Sequence, residues 1–142
     1  MKFKVAGLLF TAVLFAFNLQ AQVKHVKKRP NSGQSMARGK VVYASTCLAC
    51  HMVGGTGVPH LNPPLIKTTY VLGDKAKLIK IVLNGFNEDV EINGQTYSNE
   101  MTPHKDLKDQ QIADVLTYVR KSFGNNASPV TAAEVKRVRA SN

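Results

Sequence analysis

Apolar residues recur at helical spacing in two parts of the chain, with polar residues between them. The first set predicts a helix that Asp74 can cap and that ends at Asn84-Gly85: Leu78, Ile79, Val82, Leu83. The second set predicts a helix that begins at Asp109 and ends at Gly124-Asn125: Ile112, Val115, Leu116, Val119. Because each set falls on one helical face, the pattern predicts a mostly helical protein.

Two weaker patterns add a helix and a hairpin. Ser32 or Ser35 can act as the N-cap of a helix that we expect to run to about Ala44. Further along, Asn93-Gly94 separates two short β-prone runs, residues 90–92 and 95–97, and this dipeptide is typical of a tight β-hairpin. The expected fold is therefore all-α with one small β-hairpin.

The segment from His51 to Tyr70 shows neither helical nor strand periodicity and is rich in glycine and proline. Irregular segments of this length are uncommon in compact domains unless they serve a function or are disordered. A bulky internal cofactor would explain the segment, because irregular backbone can wrap a group that supplies the missing core.

The N-terminus predicts export. A lysine-containing start is followed by an uncharged apolar run, Val5 to Leu19, and by Ala21, which suits cleavage. We therefore expect a signal peptide over residues 1–21 and a periplasmic or otherwise exported protein. The alternative is a retained anchor, because this run approaches the roughly 17–25 residues that span a bilayer.

The formal net charge of +10 is concentrated outside the central part of the chain. Residues 22–32 contain four basic residues and no acid, whereas residues 33–126 carry ten basic and eight acidic residues. We expect a basic flexible segment over 22–32, one domain over 33–126 and a flexible tail over 127–142. The charge therefore indicates no nucleic-acid interface, although the basic segment suits anionic membrane surfaces or an acidic partner.

Cys47-Leu48-Ala49-Cys50-His51 carries the most specific chemistry in the sequence. The C-x-x-C-H pattern is the attachment signature of c-type haem, in which two thiols bond to the haem vinyl groups and the histidine binds the iron. A redox-active dithiol would need a βαβ context, which the pattern lacks. A two-cysteine, two-histidine zinc site with His60 or His104 stays open as a weaker alternative.

These residues and their surroundings resemble the class I cytochromes c over roughly Gly39 to Asn125. Gly39 and Tyr43 stand where that family crosses its first and last helices, with Val115 and Tyr118 in the matching last helix. The resemblance implies a fold of helices wrapped around one covalent haem, with Cys47 and Cys50 as its thioether attachments. It also implies that the Pro63 carbonyl accepts a hydrogen bond from His51, which would orient the imidazole.

The resemblance implies Met101 as the second axial ligand, opposite His51, on a loop that follows the hairpin. The sequence departs from the usual Met-Pro of the family, since Thr102 separates Met101 from Pro103. His104 is the rival ligand, and an open sixth position is the other alternative. Met36 is interpreted as a packing residue, and Met52 adjoins the proximal histidine.

The implied function is single-electron transfer between redox proteins, with no catalytic residue of its own. Members of the subgroup that this chain resembles occur as free cytochromes and as subunits or domains of periplasmic dehydrogenases and nitrite reductases. A dehydrogenase, a nitrite reductase and a terminal oxidase are therefore the expected classes of partner. The alternative is small-ligand binding or peroxide chemistry at a weakly held sixth position. Asp106, Asp109 and Asp114 are interpreted as helix-start and solvent-face acids.

Overall fold

A computed structural model of the protein describes residues 32–141. The predicted signal peptide and residues 22–31 of the predicted basic segment lie outside this range. None of the helices within residues 32–141 is long and apolar enough to cross a membrane.

The described part of the chain contains six α-helices and one two-stranded antiparallel sheet, in the order α1, α2, α3, α4, β1, β2, α5, α6. Their bounds are α1 Ser32–Val42, α2 Leu48–His51, α3 Thr69–Leu72, α4 Lys75–Asn84, β1 Val90–Ile92, β2 Gln95–Tyr97, α5 Asp109–Lys121 and α6 Ala132–Ala140. The all-α prediction with one hairpin is confirmed. The core is formed mainly by apolar residues of α4, α5 and α6 together with the end of α1.

The first helix does not end near Ala44 as the sequence suggested. A π-helical turn, Tyr43–Cys47, joins α1 to α2, so helical backbone continues from Ser32 to His51. No glycine or proline interrupts residues 40–53, and the chain leaves the helix at Met52, which has a positive φ of 63°. The π turn widens the helix by one residue and ends at Cys47, the first of the two cysteines.

The predicted crossing of two helices far apart in sequence is present between α1 and α5. A Cβ atom on Gly39 would lie 2.1 Å from the backbone oxygen of Asp114, so the two helices touch backbone to backbone at this point. Beside the contact, the rings of Tyr43 and Tyr118 lie 5.4 Å apart between centroids. Only glycine permits so close an approach, because any side chain would collide with the opposing backbone.

Asp114 is a buried residue and not the solvent-face acid that the sequence suggested; it is 2% exposed. Arg38 of α1 donates two hydrogen bonds to its carboxylate, at 2.6 and 2.9 Å, and Ser35 and Gln110 also donate to it. Burial raises the pKa of Asp114, but these hydrogen bonds and the guanidinium charge outweigh it and leave the pKa below its usual value. The carboxylate therefore holds α1 to α5 beside the Gly39 contact.

The signals for α4 and the hairpin are confirmed. The Asp74 carboxylate accepts a hydrogen bond of 2.7 Å from the backbone N–H of Lys77, and α4 ends at Asn84 before Gly85, whose φ is 77°. In the hairpin, Val90 pairs with Tyr97, and Asn93 and Gly94 both adopt positive φ. Two positive φ angles in a two-residue loop match the right-handed twist of the strands.

The expected flexible tail over 127–142 is wrong for residues 127–141, which fold onto the domain. Thr131 and Glu134 form a capping box at the start of α6, and Val135 is fully buried. Just before it, the Thr117 hydroxyl on α5 donates to the Val130 carbonyl and accepts from the Val130 N–H. Apolar burial and these bonds outweigh the polar composition that suggested disorder.

Candidate functional site

The irregular segment, the hairpin and the inner faces of α4 and α5 border an apolar cavity of about 240 Å³. The residues singled out from the sequence converge on it: Cys47, Cys50, His51, Pro63, Met101, His104. Much of the apolar stripe that predicted α4 and α5 also faces this space: Leu78, Val82, Val115, Leu116, Val119. The two helices therefore use part of their apolar faces to line a site as well as to pack the core.

The end of the first helix presents the two cysteines to the cavity. Cys47 closes the π turn and Cys50 lies in α2, three residues later, so one turn of helix separates the thiols. Burial, and then the neighbouring Cys50, raise the pKa of Cys47 to about 11. A redox-active dithiol requires the opposite shift, because its nucleophile is a thiolate near neutral pH.

The alternative chemistries for these thiols find no support in the described part of the chain. Within residues 32–141, Cys47 and Cys50 form no disulfide. In the same range, no cluster of three or more histidine, cysteine or acidic side chains is arranged to hold a metal ion. His60, one of the two histidines considered for a zinc site, is exposed on its loop. The side chains described in residues 32–141 are therefore not arranged as a two-cysteine, two-histidine zinc site.

His51 is oriented by one hydrogen bond. Its Nδ1 atom lies 3.1 Å from the backbone oxygen of Pro63. A carbonyl oxygen only accepts, so Nδ1 carries the proton and Nε2 keeps its lone pair in the neutral ring. Burial lowers the pKa of His51 and His104 adds to this, although the Pro63 bond works against it. The ring is thus held in the tautomer that a metal ligand requires.

Tyr43 supports the same corner of the site and was not assigned this role from the sequence. Its hydroxyl donates a hydrogen bond of 2.7 Å to the backbone oxygen of Met52, the residue after His51. Burial is the main cause that raises the pKa of Tyr43, so the hydroxyl stays protonated as a donor. The helix end that carries His51 is therefore fixed both by the Pro63 carbonyl and by Tyr43.

Close backbone contacts hold the irregular segment around Pro63. Gly57 has a φ of 64°, and a Cβ atom there would lie 2.1 Å from the backbone oxygen of Asn62 and 2.7 Å from that of Pro63. The N–H of Val58 donates to the Asn62 carbonyl at 2.9 Å, and the N–H of Leu65 donates to the Gly55 carbonyl at 2.8 Å. The glycines in this segment let the chain fold back on itself and fix the Pro63 carbonyl against His51.

The segment that carries Met101 is anchored to the end of α4. The N–H and carbonyl of Met101 both bond to Phe86, at 2.8 and 3.0 Å, and the His104 N–H donates to the Val82 carbonyl at 2.9 Å. Of the three methionines in the described range, Met101 alone lines the cavity, and His104 lines it as well. Backbone bonds thus fix this loop although Thr102 stands where the family has proline.

Several further residues line the cavity from positions that no pattern in the sequence predicted. Tyr70 and Phe86 line the wall with their rings edge to face, 6.0 Å apart between centroids. Glu88 and Glu100 line the cavity from exposed positions on either side of the hairpin. None of these positions belongs to a periodic pattern, so the sequence offered no signal for them.

The donor set and the cavity together fit a haem. A haem needs a largely apolar pocket, a histidine nitrogen for the iron and, in c-type proteins, two thiols within reach of its edge. The cavity borders on His51, whose Nε2 keeps its lone pair, and on Cys47 and Cys50 one turn apart.

Comparison with known proteins agrees with this chemistry. The sequence matches the cytochrome c family over residues 36–123. The chain belongs to the cytochrome c family. It is a class I cytochrome c, which carries one covalently attached haem c. At the level of the family it is an electron carrier and not a catalytic enzyme.

The relatives of this cytochrome include a cytochrome c-552 and the cytochrome c subunits of two dehydrogenases. It is 33% identical to cytochrome c-552 of Thermus thermophilus over 115 residues, which cover 75% of this chain and 77% of that protein. It is also 33% identical to the cytochrome c subunit of a quinone alcohol dehydrogenase from Gluconobacter oxydans, over 77% of this chain and 23% of that subunit. The cytochrome c subunit of gluconate 2-dehydrogenase from Pantoea cypripedii is 33% identical over 83% of this chain and 27% of that subunit.

Proposed function

We propose that this cytochrome carries single electrons between redox proteins outside the cytoplasm, through a haem iron bound by His51 and Met101. The observation that carries the proposal is the neutral imidazole of His51, locked by the Pro63 carbonyl, on the same cavity as Met101. An iron held by both His51 and Met101 would change its redox state without offering an open site to a substrate.

The residues around the cavity have separate tasks in this proposal. When bound, the haem supplies the one-electron chemistry. Cys47 and Cys50 would hold the haem through thioether bonds to its vinyl groups. His51 would offer the Nε2 lone pair to the iron, and the Met101 thioether would supply a soft donor that raises the reduction potential. The apolar walls keep water from the haem and lower the local dielectric constant.

Redox partners of the dehydrogenase class are supported by the relatives named as dehydrogenase cytochrome subunits. Nitrite reductases and terminal oxidases are proposed on the resemblance alone. Export to the periplasm, with cleavage of residues 1–21, rests on the N-terminal sequence pattern. The basic segment over 22–32 would then be free to contact an anionic membrane surface. The mass of the mature protein tests the cleavage, since a chain that begins at Met1 contradicts it.

The ligand assignment is tested by replacing methionines in the haem-loaded protein. Met101→Leu should abolish the weak near-infrared sulfur-to-iron band of the oxidised protein and lower the reduction potential, because leucine offers the iron no donor. Met52→Leu is the matched control, since Met52 is 42% exposed and lies outside the cavity lining. A band that survives Met101→Leu would rule out this ligand.

One observation keeps a second arrangement worth testing. His104 lines the cavity as Met101 does, and it lies near enough to His51 to lower the pKa of that ring. A His104 ligand would fill the sixth position as Met101 would, whereas a weakly held or open sixth position would suit small-ligand binding or peroxide chemistry more than electron transfer. Loss of the low-spin spectrum in His104→Gln would favour His104 as the ligand, and rapid carbon monoxide binding to the reduced protein would favour an open position.

A further inference from the structure

Arg139 connects the C-terminal helix to the segment between Met101 and α5. From the last turn of α6, its guanidinium donates to the backbone oxygens of Leu107 at 2.7 Å and Lys105 at 3.0 Å. A third hydrogen bond, of 2.8 Å, reaches the Asp109 carboxylate at the start of α5. One planar side chain therefore forms hydrogen bonds to three acceptors within five residues of the chain.

The two carbonyls belong to the turn that follows the proposed axial ligand. This turn begins at His104, whose N–H is bonded to Val82 of α4, and includes a bond of 3.3 Å from the Leu107 N–H to the His104 carbonyl. Leu107 itself lines the cavity. The turn is thus held by α4 at its beginning and by Arg139 at its end, and Met101 lies on the same loop just before it.

Loss of the Arg139 hydrogen bonds would release the loop on the C-terminal side of Met101. Met101 would keep its backbone bridge to Phe86, but the chain after it would lose the contacts that close the turn. A loop with fewer hydrogen bonds opens more often, because local opening draws on local contacts. Each opening would let the Met101 thioether leave the iron.

We infer that Arg139 is a positioning residue for the sixth iron ligand: it closes the turn over 104–107 and so keeps Met101 on the iron. The inference rests on the proposed ligation by Met101. Arg139 belongs to α6 and lies outside residues 36–123, over which the chain matches its family.

Arginine suits this task better than lysine. A guanidinium presents five N–H donors in a fixed plane, so it can bond two carbonyls and a carboxylate at once. A lysine ammonium is a single point on a flexible stem and would keep the charge without spanning the three acceptors. Arg139→Lys therefore separates the role of the charge from the role of the hydrogen bonds.

The test uses full-length, haem-loaded protein with the substitutions Arg139→Gln and Arg139→Lys. Arg137→Gln is the matched control, because Arg137 is exposed on the same helix and its loss removes the same charge. The first readout is the affinity of the oxidised protein for free imidazole, which binds the iron only when Met101 has left it. The second is the intensity of the near-infrared sulfur-to-iron band.

For Arg139→Gln we expect imidazole to bind about tenfold more tightly than to the wild type, since tenfold equals about 1.4 kcal/mol, near what one hydrogen bond to a charged group contributes. The imidazole affinity of Arg139→Lys should lie between those of the wild type and Arg139→Gln, and that of Arg137→Gln should match the wild type. The inference is overturned if Arg139→Gln and Arg137→Gln bind imidazole equally. It is also overturned if Arg139→Gln lowers the unfolding midpoint without changing the affinity for imidazole, because Arg139 would then have only a structural role.

A failure of the proposed ligation would be visible separately. If the wild-type protein shows no sulfur-to-iron band, Met101 is not the ligand and both proposals fall. If the wild type shows the band and Arg139→Gln leaves both readouts unchanged, only the role of Arg139 falls. If Arg139→Gln does not fold, the role of Arg139 is tested by comparing the imidazole affinity and the near-infrared band of Arg139→Lys with those of the wild type.

Discussion

Gly39→Ala tests the packing of α1 against α5, because helix propensity predicts a gain in stability and the contact between the helices predicts a loss. Gly39 lies inside α1, where alanine is favoured over glycine by about 1 kcal/mol. At this position, however, the new Cβ would lie 2.1 Å from the oxygen and 2.6 Å from the carbonyl carbon of Asp114. Both of these atoms belong to helix backbone, so rotation of a side chain cannot relieve the collision.

The expected outcome follows from comparing these two effects. Overpacking in a close-packed site typically costs about 1–3 kcal/mol, and a clash with backbone belongs to the upper part of that range. After the gain in helix propensity is subtracted, we expect Gly39→Ala to destabilise the protein by about 2 kcal/mol. Separation of α1 from α5 would also weaken the bonds from Arg38 to Asp114.

Denaturant unfolding of the haem-loaded protein, followed by haem absorbance, measures this effect. Ala37→Gly is the control in the same helix at an exposed position, and it should cost about 1 kcal/mol through propensity alone. The two substitutions should therefore both destabilise, although they change the propensity in opposite directions. A Gly39→Ala protein as stable as the wild type, or more stable, would refute the backbone contact between the helices.

Two further outcomes are expected from other residues. The pKa of Asp114 is lowered in the folded state, so its contribution to stability is fully present above the ordinary aspartate pKa of 3.8 and is lost as the pH falls through the lower folded value. Asp114→Asn should therefore be less stable than the wild type at neutral pH, and the difference should narrow in acid unfolding titrations; a constant difference would contradict the assignment. Val135→Ala should lower the free energy of unfolding by about 2 kcal/mol, because Val135 is a fully buried residue of α6. In the same unfolding assay Ala133→Ser, at an exposed position of that helix, should have little effect, and equal effects would mean that α6 does not pack as described.

The elements that the sequence predicted well are those with strong local signals. Asp74 and Gly85 mark both ends of α4, and Asn93-Gly94 defines the hairpin without help from the rest of the molecule. The two cysteines and His51 were found for a similar reason, since their spacing within one helical turn reflects the chemistry of haem attachment. Local order along the chain was sufficient in each case.

The features that the sequence did not reveal depend on residues far apart in the chain. Aspartate is usually a surface residue, and Asp114 can be buried because Arg38, 76 residues away, donates hydrogen bonds to its carboxylate. The C-terminal helix did carry a local signal, Thr131 three residues before Glu134, but its charged residues suggested a solvated tail. Its packing depends on the Thr117–Val130 contact, which no periodic pattern indicates.

The crossing of α1 and α5 also bears on how fast the chain can fold. Closing a loop of 76 residues between Arg38 and Asp114 costs entropy before any of the contacts at the crossing can form. With the proposed ligation, the iron joins His51 to Met101 and shortens the free loop to roughly a third of its length, which lowers the closure cost by about 1 kcal/mol. The haem would then act as a cross-link in the middle of the chain. The helix crossing would form faster in the protein whose iron binds both His51 and Met101 than in Met101→Leu.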